Sequence, residues 1–205
     1  MNSGSRGVLI GIEGIDAAGK RTQTSILGSW LRSKGYTTRT ISFPDYGTNL
    51  GTEIKKFLSG NRKYPPEVRH MLFAANRWEK RDELVSILSN TNVVVVNRYS
   101  ESNLAYGVAN GLKLEWLINL EAGLPKADAV IVLDAPPMVL SSRRERGKDE
   151  YERDTNLQER TRAAYIKLAG DFAWKVIDAR GGIQATSQQV IAVVSDSLKD
   201  VGRTV

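Results

Sequence analysis

The chain has 205 residues, of which 41% are apolar, with a formal net charge of +6 and no cysteine. That length suffices for one domain with a real core, and the missing cysteines exclude disulfides, thiol nucleophiles and cysteine-based zinc sites. A single histidine, His70, excludes a multi-histidine metal site, and no apolar run reaches membrane-spanning length.

Met1 to Arg6 lacks an apolar segment and reads as a loose tail, not a signal peptide. Val8 to Ile12 is a branched apolar run and predicts a buried parallel strand. It leads into Gly14-Ile15-Asp16-Ala17-Ala18-Gly19-Lys20, the spacing G-x-x-x-x-G-K of a phosphate-binding loop. Such a loop offers a concave row of backbone N–H donors, and the following helix adds its positive end. The loop and its exit, Gly14 through Thr22, are therefore the predicted ATP-binding segment, with Lys20 the mobile cation for the outer phosphates. The residue after the lysine is ordinarily Ser or Thr, a magnesium ligand. Here it is Arg21, and Thr22 comes one place late.

A helix is expected over Arg21–Ser33, closed by Lys34-Gly35, then a strand over Thr38–Phe43. Pro44 ends that strand. Helical patterns cover Leu50–Ser59 and Pro65–Ser89, the second long enough to bend. Val93–Asn97 reads as a buried strand with Arg98 and Tyr99 at its C-terminal end. Helices follow over Ser102–Asn110 and Lys113–Ala122, and a strand over Ala129–Asp134. A helix from Pro136 runs into the basic stretch Arg143-Arg144-Glu145-Arg146-Gly147-Lys148. Asn156–Phe172 predicts a helix, Trp174–Asp178 a strand, and Ser187–Val201 an amphipathic helix. Strands alternating with helices throughout define a doubly wound α/β fold with about five parallel strands. Ligands of such sheets sit beyond the C-terminal strand ends, so Gly14–Lys20, Phe43–Tyr46, Asn97-Arg98 and Asp134-Ala135 should converge on one crevice.

Phe73 and Arg77 are four residues apart on one helix and share a face. An aromatic plate beside a guanidinium suits a nucleobase. The competing reading has Phe73 and Trp78 in the core and Arg77 in solvent. Arg98 suits a bidentate phosphate contact, or is an ordinary strand-end arginine. Asp16 is placed to meet a sugar hydroxyl or a metal, or simply stabilises the turn. The basic stretch is dense in charge and poor in apolar anchors, which suits a lid that closes over a nucleotide and excludes water. Elsewhere the basic residues are scattered, which fits a local anion site better than a nucleic-acid track.

Taken together, E-G-I-D-A-A-G-K-R-T-Q, F-P, L-F-A-A-N-R-W-E, N-R-Y-x-x-S-x-x-A-Y, G-L-P-K-A-D, Y-E-R and L-Q-E-R resemble the thymidylate kinase family over about Val8 to Asp178. The resemblance implies a single three-layer P-loop domain over residues 1–205, with a mobile basic lid at about 141–155. It implies ATP-dependent conversion of dTMP to dTDP with Mg2+, in dTTP biosynthesis, by a cytoplasmic homodimer with no nucleic-acid or membrane partner. Phe73 would stack on thymine, Arg77 bond the base edge and Arg98 hold the acceptor phosphate. Phe43 would border the phosphate pocket, Tyr106 and Tyr151 wall the deoxyribose, and Gln158 lie close to sugar and base. Asp16 and Glu152 would help hold the metal. Some members carry a catalytic arginine in the loop where this chain has Ala17, so the lid supplies the candidates Arg143, Arg144, Arg146 and Arg153, with Arg146 and Arg153 favoured. Lys20 and Arg98 complete the expected catalytic set. Three departures stand out: Arg21, Asn97 in place of the usual Asp of D-R-Y, and Asp45-Tyr46 where an arginine often follows Phe-Pro. The first two weaken the ordinary metal site and keep open a nucleotide-dependent switch with weak kinase activity; the third loosens the grip on the acceptor phosphate and keeps open a kinase of relaxed pyrimidine specificity.

Overall fold

A computed structural model describes residues 6–140 and 150–200. Its centre is a five-stranded parallel sheet in the order β2-β3-β1-β4-β5. The strands are β1 (Val8–Glu13), β2 (Thr38–Ser42), β3 (Val93–Asn97), β4 (Ala129–Asp134) and β5 (Lys175–Asp178). β1 is flanked by β3, with Val8 opposite Val93, and by β4, with Ile10 opposite Ala129. Both faces of β1 are covered, which explains an unbroken apolar run in place of alternation. Val8, Ile10 and Ile12 join the larger core with Leu27 and Leu31, while Leu9 joins a smaller core with Leu84 and Leu88.

The connecting helices are α1 (Lys20–Ser33), α2 (Asn49–Leu58), α3 (Pro66–Glu79), α4 (Arg81–Asn90), α5 (Ser100–Ala109), α6 (Leu114–Glu121), α7 (Pro137–Leu140), α8 (Glu150–Arg153), α9 (Thr155–Asp171) and α10 (Ile183–Asp200). The long pattern over Pro65–Ser89 is two helices broken at Lys80, whose N–H bonds the carbonyl of Arg77 in a tightened last turn. α10 begins at Ile183, four residues before the predicted start, and Ser187 there donates to Gln23 of α1 at 2.9 Å. Arg6, expected in the loose tail, is instead held by both carboxylate oxygens of Asp128 at 2.9 and 2.8 Å. Among the described residues no helix is long and apolar enough to cross a membrane.

Candidate active site

The phosphate-binding loop leaves β1 through two glycines with left-handed backbones, at φ 131° for Gly14 and 96° for Gly19. At Gly14 space adds to the constraint, because a Cβ would stand 2.5 Å from the carbonyl oxygen of Leu133 on β4. Gly19 meets nothing within 4 Å, so only its dihedral favours glycine. Lys20, the first residue of α1, is buried and donates its Nζ to the carbonyl of Ile15 at 2.8 Å.

Beside the loop lies a cavity of about 360 Å³ that collects Asp16, Phe43, Phe73, Arg77, Arg98, Tyr106 and Tyr151 from six stretches of chain. That volume is at the low end of small-molecule pockets. The ends of β1, β2 and β3 converge here as expected. The end of β4 does not: Asp134 lies across β1, bound by Arg162 at 2.7 and 2.8 Å, and does not line this cavity. His70 is fully buried and lines the same cavity.

One end of the cavity is built on α3. Arg77 is only 4% exposed and Trp78 is 40% exposed against Gly123, which reverses the core-packing reading for those two, while Phe73 is half-buried against the larger core. Burial of a guanidinium requires a counter-charge, and Glu121, at the end of α6, supplies it through both oxygens to Nε and Nη2. Glu121 also accepts from Ser100 at 2.9 Å and from Asn103 at 2.7 Å. Asn103 in turn faces His70 Nδ1 at 2.7 Å. Burial, reinforced by Arg77 and Arg69, pushes the His70 pKa down to about 4 against the pull of its bond to Asn103, so the ring is neutral. Phe73 rests beside Tyr151, with ring centroids 6.3 Å apart. Asn76 is fully buried and holds the backbone of Asp45 through both amide atoms, at 2.8 and 3.2 Å, which fixes the loop carrying Phe43 and Pro44.

The other end is centred on Asp16. Its carboxylate accepts from Arg98 Nη2, from Tyr106 Oη at 3.0 Å and from Gln158 Nε2 at 3.0 Å. Burial alone would raise its pKa, but Arg98 and Lys20 with these hydrogen bonds bring it down to about 2. Arg98 adopts φ 63°, a conformation non-glycine residues rarely hold, as its chain leaves β3 toward the loop. Tyr106 stacks on Tyr151 at 5.5 Å and 8° and lies under the Arg98 guanidinium at 5.3 Å. Gln158 stands one layer behind the wall. It is fully buried and its amide is shared between Asp16 and the carbonyl of Tyr151.

Arg153 is exposed at the end of α8. Arg143, Arg144 and Arg146, with most of the expected lid, lie outside the described residues, as does the side chain of Glu152. Sequence reasoning passed over Glu121, Asn103 and Asn76. Their bonds cross 44, 18 and 31 positions, beyond any periodicity. The one available signal for Glu121 was its place two residues before the Gly-Leu-Pro-Lys segment.

A thymidylate kinase family profile matches residues 12–190. The chain belongs to the thymidylate kinase family. It is 36% identical to the thymidylate kinase of Arabidopsis thaliana over 95% of this chain and 73% of that one. It is 32% identical to the human thymidylate kinase over 95% and 92% of the respective chains. A solved structure of the Candida albicans thymidylate kinase superposes with a TM-score of 0.83 at 27% identity, covering 93% of this chain and 92% of that chain. Within the family, the departures at Arg21, Asn97 and Asp45 now have positions. Arg21 and Asn97 line the cavity, whereas Asp45 faces a second, smaller cavity of about 270 Å³ and pairs with Lys80 at 3.2 Å.

Proposed function

We propose that this chain transfers the γ-phosphoryl group of ATP to dTMP, giving dTDP and ADP. The observation that carries the reading is a cavity with a ring and a buried guanidinium at one end, Phe73 and Arg77, and the Asp16–Arg98 pair beside the phosphate-binding loop at the other. Phe73 stacks on thymine, and Arg77, held by Glu121, meets the base edge with its remaining Nη1. Arg98 bonds the acceptor phosphate, Phe43 borders it, and the stacked Tyr106 and Tyr151 close the deoxyribose side. Gly14 through Thr22 hold the ATP phosphates with Lys20.

An acceptor phosphate oxygen attacks the γ-phosphorus in line as the bond to the ADP oxygen breaks. That oxygen is already anionic, so the chemistry asks for positioning and charge neutralisation, not a strong base. Lys20, Arg98 and the lid arginines, with Arg146 and Arg153 favoured, spread the charge, and lid closure excludes water.

The described residues contain no cluster of three or more His, Asp or Glu able to cage a metal. Both Asp16 oxygens already have partners, and the buried Oδ1 of Asn97 has none. Such a donor set fits Mg2+, which keeps several waters and takes few protein ligands besides substrate phosphates. Asp16 and Glu152 would assist the phosphates in holding it, and it would supply charge stabilisation on the transferred group. A homodimer in the cytoplasm, with residues 1–205 as one domain and a lid at about 141–155, completes the reading.

The test is incubation with ATP, Mg2+ and each nucleoside monophosphate separately. dTMP is expected to be phosphorylated fastest, and dUMP turnover measures the strictness of selection. ATP hydrolysis without any phosphorylated acceptor would instead indicate the nucleotide-dependent switch.

A further inference from the structure

The acceptor cavity holds guanidiniums whose charge is already matched. Arg98 is paired with Asp16 and Arg77 with Glu121, so neither pair adds net charge. Lys20 serves the loop, its Nζ turned to Ile15, and does not line the cavity. Arg21 does line it, is exposed, and has no hydrogen bond or ion pair among the described residues. It is the second residue of α1, so it also stands at the positive end of that helix. Across the cavity, Asp45 follows Phe43-Pro44 but carries its carboxylate away. Oδ1 accepts from the Gly47 N–H at 2.9 Å, and Oδ2 lies 3.2 Å from Lys80. That loop therefore brings no cation into the cavity, and no anion that would capture Arg21.

We infer that Arg21 clamps the acceptor phosphate, working with Arg98 from the opposite, phosphate-loop side. The inference rests on the cavity being the dTMP site. A monophosphate ester brings nearly two negative charges. Arg98, neutralised by Asp16, offers it directed hydrogen bonds but little net field, whereas an unpaired guanidinium offers both. The position after the loop lysine ordinarily holds a short hydroxyl side chain. Arginine there reaches farther and presents a planar fork that fits two phosphate oxygens at once. The same substitution that removes a metal ligand thus supplies a fixed cation to the second nucleotide.

The test compares dTMP with thymidine, the same nucleoside without phosphate. Calorimetric titrations use full-length wild type, R21A and R21K, with neither ATP nor metal present. R21A should raise the dTMP Kd about 30-fold and leave the thymidine Kd unchanged, and R21K should recover part of the loss. A non-hydrolysable ATP analogue should lose less affinity than dTMP in each variant, since the peptide N–H of residue 21 survives each change. Unchanged thermal unfolding of the free variants checks that an exposed side chain has been removed without disturbing the fold. Unchanged dTMP affinity in R21A overturns the inference. So does an equal loss for dTMP and thymidine, or a larger loss for the ATP analogue. Wild type that binds neither dTMP nor thymidine overturns the cavity assignment along with it, an outcome distinct from a null result confined to R21A.

Discussion

At the base end of the cavity, polar groups meet partners in a continuous chain. Asn110 Nδ2 faces His70 Nε2 at 3.3 Å, His70 Nδ1 faces Asn103 Oδ1 at 2.7 Å, and Asn103 Nδ2 donates to Glu121, which holds Arg77. At the phosphate end, Asn97 Oδ1 is buried without a partner and Arg21 is unpaired among the described residues. The base end is largely paired before any ligand arrives, with Arg77 Nη1 left over, whereas the phosphate end keeps a guanidinium for the ligand to meet. A neutral, flat ring is recognised by shape and by donors fixed in advance. A doubly charged phosphate can accept from the Arg21 guanidinium, whereas Asn97 Oδ1 is itself an acceptor and calls for a donor or a cation. Substitutions at the two ends should therefore fail differently.

The largest effect should come from Lys20→Ala, which lowers kcat by about 10³-fold or more; steady-state turnover with saturating dTMP measures it. Arg98→Ala follows. It removes a phosphate contact and leaves Asp16 buried and uncompensated, so kcat/KM for dTMP should fall about 100-fold while ATP-analogue affinity changes far less. Near-equal losses for both nucleotides would blur the division between the ends.

Glu121→Gln acts at the base end. It keeps the shape but leaves Arg77 without its counter-charge, and should cost about 3 kcal/mol of stability. KM for dTMP should rise about tenfold with kcat preserved, and thymidine binding should weaken in parallel, unlike the phosphate-selective loss at the other end. Urea denaturation and thymidine titration read the two parts.

The smallest effect is a pH dependence. His70 has its folded pKa depressed from 6.5 to about 4, so its contribution is complete above pH 6.5 and is lost as pH falls toward 4. Between pH 7 and pH 5 that amounts to about 2 kcal/mol, and His70→Gln should flatten this part of the stability profile. Asp16, depressed to about 2 from 3.8, holds its contribution above pH 3.8 and loses it only in stronger acid, so it adds no slope in that window.

The strands and the loop could be read from sequence because their signals are local. Val93 to Asn97 and Ala129 to Asp134 are runs that only a doubly covered sheet accommodates, and both stand within the predicted bounds. The break at Lys80 could not be read, since Trp78-Glu79-Lys80-Arg81 contains neither proline nor glycine. Phe73 and Arg77 were legible as a pair on one face, but the choice between solvent and cavity rests on Glu121, and nothing in residues 66–79 announces it. Likewise, Asp45 declares a charge but not its direction. Lys80 sets that direction from the start of the next helix. Side-chain aim at this site is decided by partners brought together only by the folded sheet.

Gly14 lies so close to Leu133 that the nucleotide cradle shares a wall with a strand made 119 residues later. During synthesis the loop residues leave the ribosome first, yet their seat is unfinished until β4 is laid beside β1. At about 5–20 residues per second, that interval is on the order of ten seconds. Throughout it, a strand that ends buried on both sides has at least one of its two neighbours still to come, and until β3 is made it has neither.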